Sequence, residues 1–474
     1  MMHINDDLFD EEIRLKLKNE IKYIPEDINK KIDDAVKRIE KRRFNVKKVC
    51  SIFAGCIGIT ILLGMAMPTY ASNIPIIGSI FQMFHSKIYE NYDKYASDLN
   101  ITKESNGVKM TINKVVYDEL QLSIFYTVES EEKLPDFPRF PGAELKINGK
   151  KTSFGAGGTG KLSDDGKTFV GSIEYDVSKK SSVPKEIQEK TSLGGYVEIP
   201  DEFVFTLNID EIGTADDNKS IKGKWDFNIP VSSEKVSGKV KEQECNIDLS
   251  NIANGYHINK IITTPLNTAI QGTKMDEKDN SEGLFFVAFD DKGRYIEQKS
   301  SNASGQTDKD GNCIMYFNNQ FKEVYDDTES LTFISYKYIC NNEDDGDDTK
   351  KEITTKLNLQ GETKLNSTYG EGYVTITKIE TESGKTKIYY KSKYGVNVSP
   401  IEIINNKTGE KILSIDEAYD GRKQKEDTTY ISNSDEYVIT CDDVITEGDY
   451  SIKVIDKSKF IEVYNDDKFT IKIK

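Results

Sequence analysis

The stretch Gly155-Ala156-Gly157-Gly158-Thr159-Gly160-Lys161 has the G-x-x-x-x-G-K skeleton of a loop that cradles phosphate on backbone N–H groups. That chemistry needs a Ser or Thr next, to hold magnesium, and a helix opening there; Leu162 and the turn sequence Asp164-Asp165-Gly166 supply neither. A flexible surface loop is expected instead. Two acidic clusters, Glu343-Asp344-Asp345-Gly346-Asp347-Asp348 and Asp308-Lys309-Asp310-Gly311-Asn312, raise calcium binding. Neither has three ligand positions before its glycine and a Glu six residues after it, so both are expected to be solvated hairpin tips. The sequence contains no Gly-x-Ser-x-Gly elbow, no H-E-x-x-H, and no carboxylate pair with a neighbouring His. Three histidines (His3, His85, His257) and one tryptophan, Trp225, leave few general bases, and His257 is expected as a half-buried strand residue. No catalytic, cofactor-binding or metal-ligating residue is assigned, no cofactor is expected, and the chain reads as non-enzymatic.

The elements that would have to position any site come from length and charge. At 474 residues the chain exceeds one hydrophobic core, and three domains are the default. With 36% apolar and 30% charged residues it is globular, and a net charge of -16 opposes a nucleic acid as partner. The charge is unevenly spread. Residues 1–48 hold 13 Lys/Arg and 11 Asp/Glu, residues 49–71 hold neither, and the remainder holds 51 and 69. Val49 to Met67 is 19 uncharged residues, about 28 Å as a helix, which matches a bilayer core. Before it stands KRRFNVKK, with the topology signal Lys41, Arg42, Arg43, Lys47 and Lys48; the next cation is Lys87. The positive-inside rule then places residues 1–48 in the cytoplasm and everything after about Ala71 outside the cell membrane. A cleavable signal ending at Thr69-Tyr70-Ala71 competes, but its 48-residue N-terminal region is too long, and an uncleaved single-pass anchor is expected. Cys245, Cys313, Cys340 and Cys441 are scattered over the exterior without CxxC spacing and are expected as mostly free thiols.

Within the cytoplasmic piece, Leu8, Ile13, Leu17, Ile21 and Ile24 recur at three to five residues, and Pro25 opens a second helical pattern. There Ile28, Ile32, Ala35, Val36 and Ile39 make one apolar face. Forty-eight residues cannot bury both faces alone. The stripe Ile28, Ile32, Val36 and Ile39 is the candidate partner-binding surface; membrane lipid, a second copy and a cytoplasmic protein are the alternatives.

After Pro68, Ile77, Phe81, Phe84 and Ile88, then Tyr89, Tyr92 and Tyr95, predict an amphipathic helix. It is either a stiff joint with tyrosines near the headgroups or a helix packed on the first β domain. From Leu99 the apolar period falls to two, punctuated by turns at Asn148-Gly149, Asp165-Gly166, Lys292-Gly293, Asp310-Gly311, Ser383-Gly384 and Thr408-Gly409. A signature recurs at Ile112-Asn113-Lys114-Val115, Ile258-Asn259-Lys260-Ile261 and Ile376-Thr377-Lys378-Ile379, spaced by 146 and 118 residues. Closing strands are expected at Lys224–Pro230, Lys351–Leu359 and Lys468–Ile473, with linkers at Ser232–Lys239 and Leu359-Gln360-Gly361. The turn and strand around Glu447-Gly448-Asp449-Tyr450 resemble the close of an immunoglobulin-like sandwich. The expectation is a mainly β chain: a two-helix segment (1–48), a transmembrane helix (49–71), a juxtamembrane helix (72–98), and three tandem immunoglobulin-like β-sandwiches (99–233, 234–360, 361–474).

The order of parts resembles single-pass membrane proteins of Gram-positive bacteria encoded beside extracytoplasmic-function sigma factors, whose ectodomain is catalogued as a domain of unknown function. The likeness rests on IPEDINKKIDDAVKRI, PTYASNIPIIGSIFQMF, NGVKMTINKVVYDELQLSIFYTV and KWDFNIPV, and covers the chain to about Val231. It implies an anti-sigma factor or sensor whose residues 1–48 hold a sigma factor inactive until an unknown extracellular ligand acts outside. Zinc-containing anti-sigma factors carry a cytoplasmic His/Cys cluster; here only His3 precedes Cys50, so the apolar faces and charge pairing must serve instead. A cell-surface module binding wall polymer or protein, without a sigma partner, is the alternative. For the topology, cysteine labelling of intact cells should modify an engineered site near Gly166 and spare one near Asn29. A mature N-terminus at Ser72 would overturn the uncleaved anchor.

Overall fold

The computed structural model describes residues 91–474 apart from 182, 192–195, 214–219, 277–282, 308–310, 339–350, 369–373, 393–400, 414–427, 432–433, 442–443, 446, 457–460 and 474. Tight hairpins need positive φ at both central residues, and Asn106-Gly107 (50°, 75°), Asn148-Gly149 (49°, 82°) and Ser383-Gly384 (54°, 79°) supply it. Between such turns the alternating segments pair into antiparallel sheets.

A short helix, α1 (Tyr92–Tyr95), leads into the first module: β1 (Ser97–Ser105), β2 (Val108–Tyr117), β3 (Leu122–Ser130), β4 (Glu144–Ile147), β5 (Lys150–Thr152), β6 (Ala156–Leu162), β7 (Thr168–Tyr175), α2 (Lys185–Thr191), β8 (Glu202–Gly213) and β9 (Ser220–Ser232). One sheet runs β1-β2-β3-β7-β6 and the other β5-β4-β8-β9. They meet through Tyr117 on Phe203 and Tyr175 on Phe205, ring centroids 5.3 and 5.1 Å apart, and through Trp225, whose Nε1 donates to the Val108 carbonyl at 3.0 Å. The second stretch holds β10 (Lys241–Asp248), β11 (His257–Thr263), β12 (Asn267–Asp276), β13 (Phe285–Asp290), β14 (Tyr295–Ile296), β15 (Gln298–Thr307), β16 (Cys313–Lys322) and β17 (Ser330–Tyr338). The last holds β18 (Lys351–Lys356), β19 (Thr363–Leu365), β20 (Val374–Glu382), β21 (Lys385–Ser392), β22 (Ile401–Asn405), β23 (Lys411–Leu413), β24 (Thr428–Ile431), β25 (Glu436–Cys441), β26 (Tyr450–Asp456) and β27 (Ile461–Lys472). Five-stranded sheets of the same order recur as β10-β11-β12-β16-β15 and β19-β20-β21-β25-β24.

The recurring signature is a β-bulge. Pairing shifts register between Ile112 and Lys114, between Ile258 and Lys260, and between Ile376 and Lys378, so Asn113, Asn259 and Thr377 are each the extra residue. With one residue bulged out, Ile112 and Val115, three apart, are both buried, as are Ile258 and Ile261. Strict alternation would put one of each pair in water.

The four-stranded sheets depart from the expectation. In the first module the closing strand β9 forms a hairpin with β8. The sequence pattern gives β18 to the second unit and the final strand to the third. Instead β18 pairs with β26, Lys351 opposite Asp456, while β27 pairs with β17, Ser330 opposite Lys472. The sheets are therefore β14-β13-β17-β27 and β18-β26-β22-β23, and the closing strands are exchanged. Alternation alone cannot decide this, because Ile353 and Leu357 present the same inward pattern as Phe469 and Ile471. Leu359-Gln360-Gly361 is accordingly a turn between β18 and β19, and the spans 234–360 and 361–474 each lack a strand that their sheet uses.

Strand β13 is buried on both faces: Phe286 and Ala288 enter the second module's core, Val287 and Phe289 the core shared with the third. Phe289 lies 4.9 Å from Tyr430. Beside it Gly293 (φ 76°) runs so close that an added Cβ would stand 2.0 Å from the Tyr430 carbonyl oxygen. The Ser232–Lys239 linker is packed: a 3-10 turn, Glu234–Val236, buries Val236 completely.

The glycine run expected as a loop is strand β6, paired with β7 along its whole length. Its glycines make room for rings, since a Cβ on Gly160 would meet Phe169 Cζ at 2.1 Å. Of the span 72–98 expected as a juxtamembrane helix, only residues 91–98 are described: α1 ends at Tyr95 and β1 begins at Ser97. There Tyr92 is buried against Phe125, centroids 6.0 Å apart, so this tyrosine packs on the first module rather than near headgroups. The runs 1–48 and 49–71 fall outside the described residues, among which no helix is long and apolar enough to cross a membrane.

Strand exchange predicts which sheet fails on truncation. Deleting residues 461–474 should accelerate amide hydrogen exchange in β17 and leave β26 protected; the opposite pattern would show a β26–β27 hairpin.

Candidate functional site

The first and second modules meet at two equivalent hairpin turns, β2–β3 and β11–β12. Asp118 Oδ1 accepts from the backbone N–H groups of Leu120 (3.0 Å) and Gln121 (2.8 Å), which fixes its own turn. Thr264 Oγ1 does the same in the other turn, accepting from Leu266 (3.1 Å) and Asn267 (2.8 Å). Each turn then uses what remains on the other. Thr264 Oγ1 donates to Asp118 Oδ2 at 2.5 Å and Asn267 Nδ2 donates to the same oxygen at 2.7 Å. Asp118 is 1% exposed, so its charge is held by four donors in place of water.

A half-buried cation completes the junction. Lys299, on β15, donates to Gln121 Oε1 (2.7 Å), Asn267 Oδ1 (2.8 Å) and Tyr92 Oη (3.3 Å), with Glu174 Oε2 at 3.5 Å. Gln121 Nε2 donates to the same Glu174 oxygen at 3.0 Å. The network joins α1, both turns, β7 and β15. Apolar contacts surround it: Tyr92, Val116, Phe125 and Leu266 on one side, Leu120, Ile262 and Ala269 on the other.

A groove of about 870 Å³ opens beside this network, walled by α1, the packed linker, the β11–β12 turn and the end of β16. Its charges are mixed. Lys322 pairs with Glu297 at 3.0 Å, Lys239 lies 4.7 Å over the Tyr95 ring, and Asn91 Nδ2 donates to Glu323 Oε1 at 3.1 Å. Burial pushes the Glu323 carboxyl above its ordinary value, against the Asn91 hydrogen bond. A raised carboxyl binds its proton more tightly folded than unfolded, so its contribution to stability falls as pH rises through that window. Ile473, just past β27, also lines the groove, bringing the exchanged strand to the same place as α1.

Such a site can bind and can couple modules. Among the described residues no group of three or more His, Cys, Asp or Glu side chains could hold a metal ion. Asn312 and Gly311 are the described part of one acidic cluster; Glu343–Asp348 lies outside the described residues. His257 is half-buried, its Nδ1 3.4 Å from Asp248, and Cys245, Cys313 and Cys441 are free thiols. The partner-binding stripe Ile28, Ile32, Val36 and Ile39 and the cations Lys41, Arg42, Arg43, Lys47 and Lys48 all lie outside the described residues. Sequence reasoning missed Asp118 and Lys299. Their links between modules span long sequence separations, 146 residues from Asp118 to Thr264 and 178 from Lys299 to Gln121, and the local signal, an Asp and a Thr at hairpin turns, announces only the turns.

What the fold and junction define is a chain of repeated β modules with a polar joint. Residues 41–130 match a Domain of unknown function (DUF4179), and residues 240–365 match a Family of unknown function (DUF5643). The second match runs through β18, the strand that the structure gives to the third module. No curated protein matches the sequence. "The crystal structure of the conserved domain protein from Bacillus anthracis" is similar at 24% identity, covering 62% of this chain and 93% of that chain, with a TM-score of 0.40.

Asp118→Ala should strand four buried donors and cost about 3 kcal/mol or more, and Lys299→Met should loosen the same joint. Both should speed proteolysis between residues 232 and 241, with cleavage at the wild-type rate counting against a structural junction.

Proposed function

We propose that this chain is a single-pass membrane sensor whose cytoplasmic helices sequester an extracytoplasmic-function sigma factor, with tandem immunoglobulin-like modules outside the cell. The observation that carries it is the matched region 41–130, which begins at the basic segment, includes the uncharged run and ends with β3. Anchor sequence and first strands thus belong to one matched unit. The Lys/Arg bias beside the uncharged run supports the same orientation, since Lys41, Arg42, Arg43, Lys47 and Lys48 precede it and the next cation after it is Lys87. The recurrence of one strand order in three modules supports the immunoglobulin-like reading.

On this reading the stripe Ile28, Ile32, Val36 and Ile39 docks on the sigma factor, each side chain contributing about 1.5 to 3 kcal/mol before ordering costs. The groove beside α1 favours a second reading, a surface module that binds a ligand and has no sigma partner. Replacing Ile32 and Val36 by Asp separates them. Sequestration predicts that transcription from promoters of the neighbouring sigma factor rises while the protein stays in the membrane. Transcription equal to the parent's, at normal protein abundance, leaves the surface module.

A further inference from the structure

Edge to edge, the four-stranded sheets β5-β4-β8-β9, β14-β13-β17-β27 and β23-β22-β26-β18 have one pattern. Their first three places are filled in the same chain order in every module. The fourth differs each time: β9 follows β8 directly, β27 follows β17 only after the whole third module, and β18 stands ahead of every other strand of its module. The strands of the third module therefore lie in one stretch, Lys351 to Asp456, while those of the second are interrupted between Tyr338 and Ile461.

Both breaks close in space. Lys351 is paired with Asp456, so the ends of the third module meet, and Tyr338 is paired with Ile461, as the two sides of a hairpin would be. The outer face of the sheet carries a matching signal. In the first module the cross-strand pairs there are polar, Lys146 opposite Thr206 and Glu144 opposite Asn208, and in the third Glu402 stands opposite Lys453. In the second they are Val287 opposite Ile334 and Phe285 opposite Tyr336, all four packed into the core that the third module supplies. The face is apolar where the third module covers it.

We propose that the third module is an insertion in the closing hairpin of the second, a circularly permuted copy of the same module, and that its folded state serves as that hairpin's turn. Folded, it holds Tyr338 beside Ile461. Unfolded, it becomes a loop of about 120 residues in place of the roughly 16 that link the two modules when it is folded, and closure entropy then loosens β27 from β17 about twentyfold. Because Ile473, just past β27, lines the groove beside α1, the folding of the third module bears on that groove. The arrangement requires no sigma partner and stands whether or not residues 1–48 hold one.

Two variants of the full-length protein test it. Both carry Phe285→Glu, Val287→Lys, Ile334→Thr and Tyr336→Asn, which give the covered face the polarity of its counterpart in the first module, and the full chain with these four changes is the reference. In one variant residues 339–460 are replaced by Asn-Gly, a two-residue turn between strands already paired. In the other, Ile376→Asp and Ile452→Asp put a carboxylate into each sheet of the third module at fully buried positions, which unfolds it. Amide hydrogen exchange is read in β17 relative to β3 of the first module. Excision should leave β17 as protected as in the reference, whereas unfolding should lower its protection at least about twentyfold, so that an unfolded third module harms the second more than a missing one. The proposal is overturned if excision strips β17 of its protection, or if the excised and unfolded chains protect β17 equally.

Discussion

Each four-stranded sheet in this protein needs a strand against the free edge of β8, β17 or β26, and the way that need is met decides how the modules hold together. The first module meets it locally with the β8–β9 hairpin. The other two meet it by trading: β18 covers β26 and β27 covers β17. An uncovered edge would expose a row of unpaired N–H and C=O groups, so neither sheet tolerates the absence of its borrowed strand. The trade makes the second and third modules interdependent in a way that a linker does not. It also puts β13 between two cores, where Phe289 meets Tyr430 on one side and Phe286 meets Phe333 on the other.

The first module is joined by different chemistry. A buried Asp and a half-buried Lys would each carry a desolvation penalty alone, yet here every group in the network faces a partner. The two turns supply this because they occupy equivalent places in equivalent modules: Asp118 and Thr264 each tie their own turn and then each other. Hydrogen-bond geometry of this kind fixes orientation more than it adds stability, since net gains per bond are about 1 kcal/mol. Fixed orientation is what brings Gln271 of β12 onto the Lys180 carbonyl and Asn302 of β15 onto Asp176.

Much of the fold was legible because its signals are local. Asn148-Gly149 and Ser383-Gly384 fall at hairpin turns, the thrice-repeated I-[NT]-K-[VI] falls on strands, and the repeat proved to be a bulge that lets two apolar residues three apart face one core. The closing strands were found, but their owners were not. Ile353 with Leu357 and Phe469 with Ile471 are interchangeable as patterns, and partner choice is a long-range property that periodicity does not encode. The glycine run failed for the same reason: glycine beside Phe169 is a packing requirement set by a neighbouring strand, and in sequence it reads as flexibility. The junction was illegible because Asp118 and Lys299 become a site only through partners brought from other strands.

The two kinds of joint converge on one place. Strand β27 leaves the third module, completes the second, and ends with Ile473 at the groove that α1 also lines. Tyr92 of α1 receives a hydrogen bond from Lys299, and Lys299 is held by both turns. A displacement of the third module therefore has a direct covalent route, through β27, to the groove beside α1. A displacement between the first two modules has a polar route, through Lys299, to α1 itself. Rigid sheets and satisfied buried networks transmit such changes as alternatives between packed arrangements rather than as gradual bending.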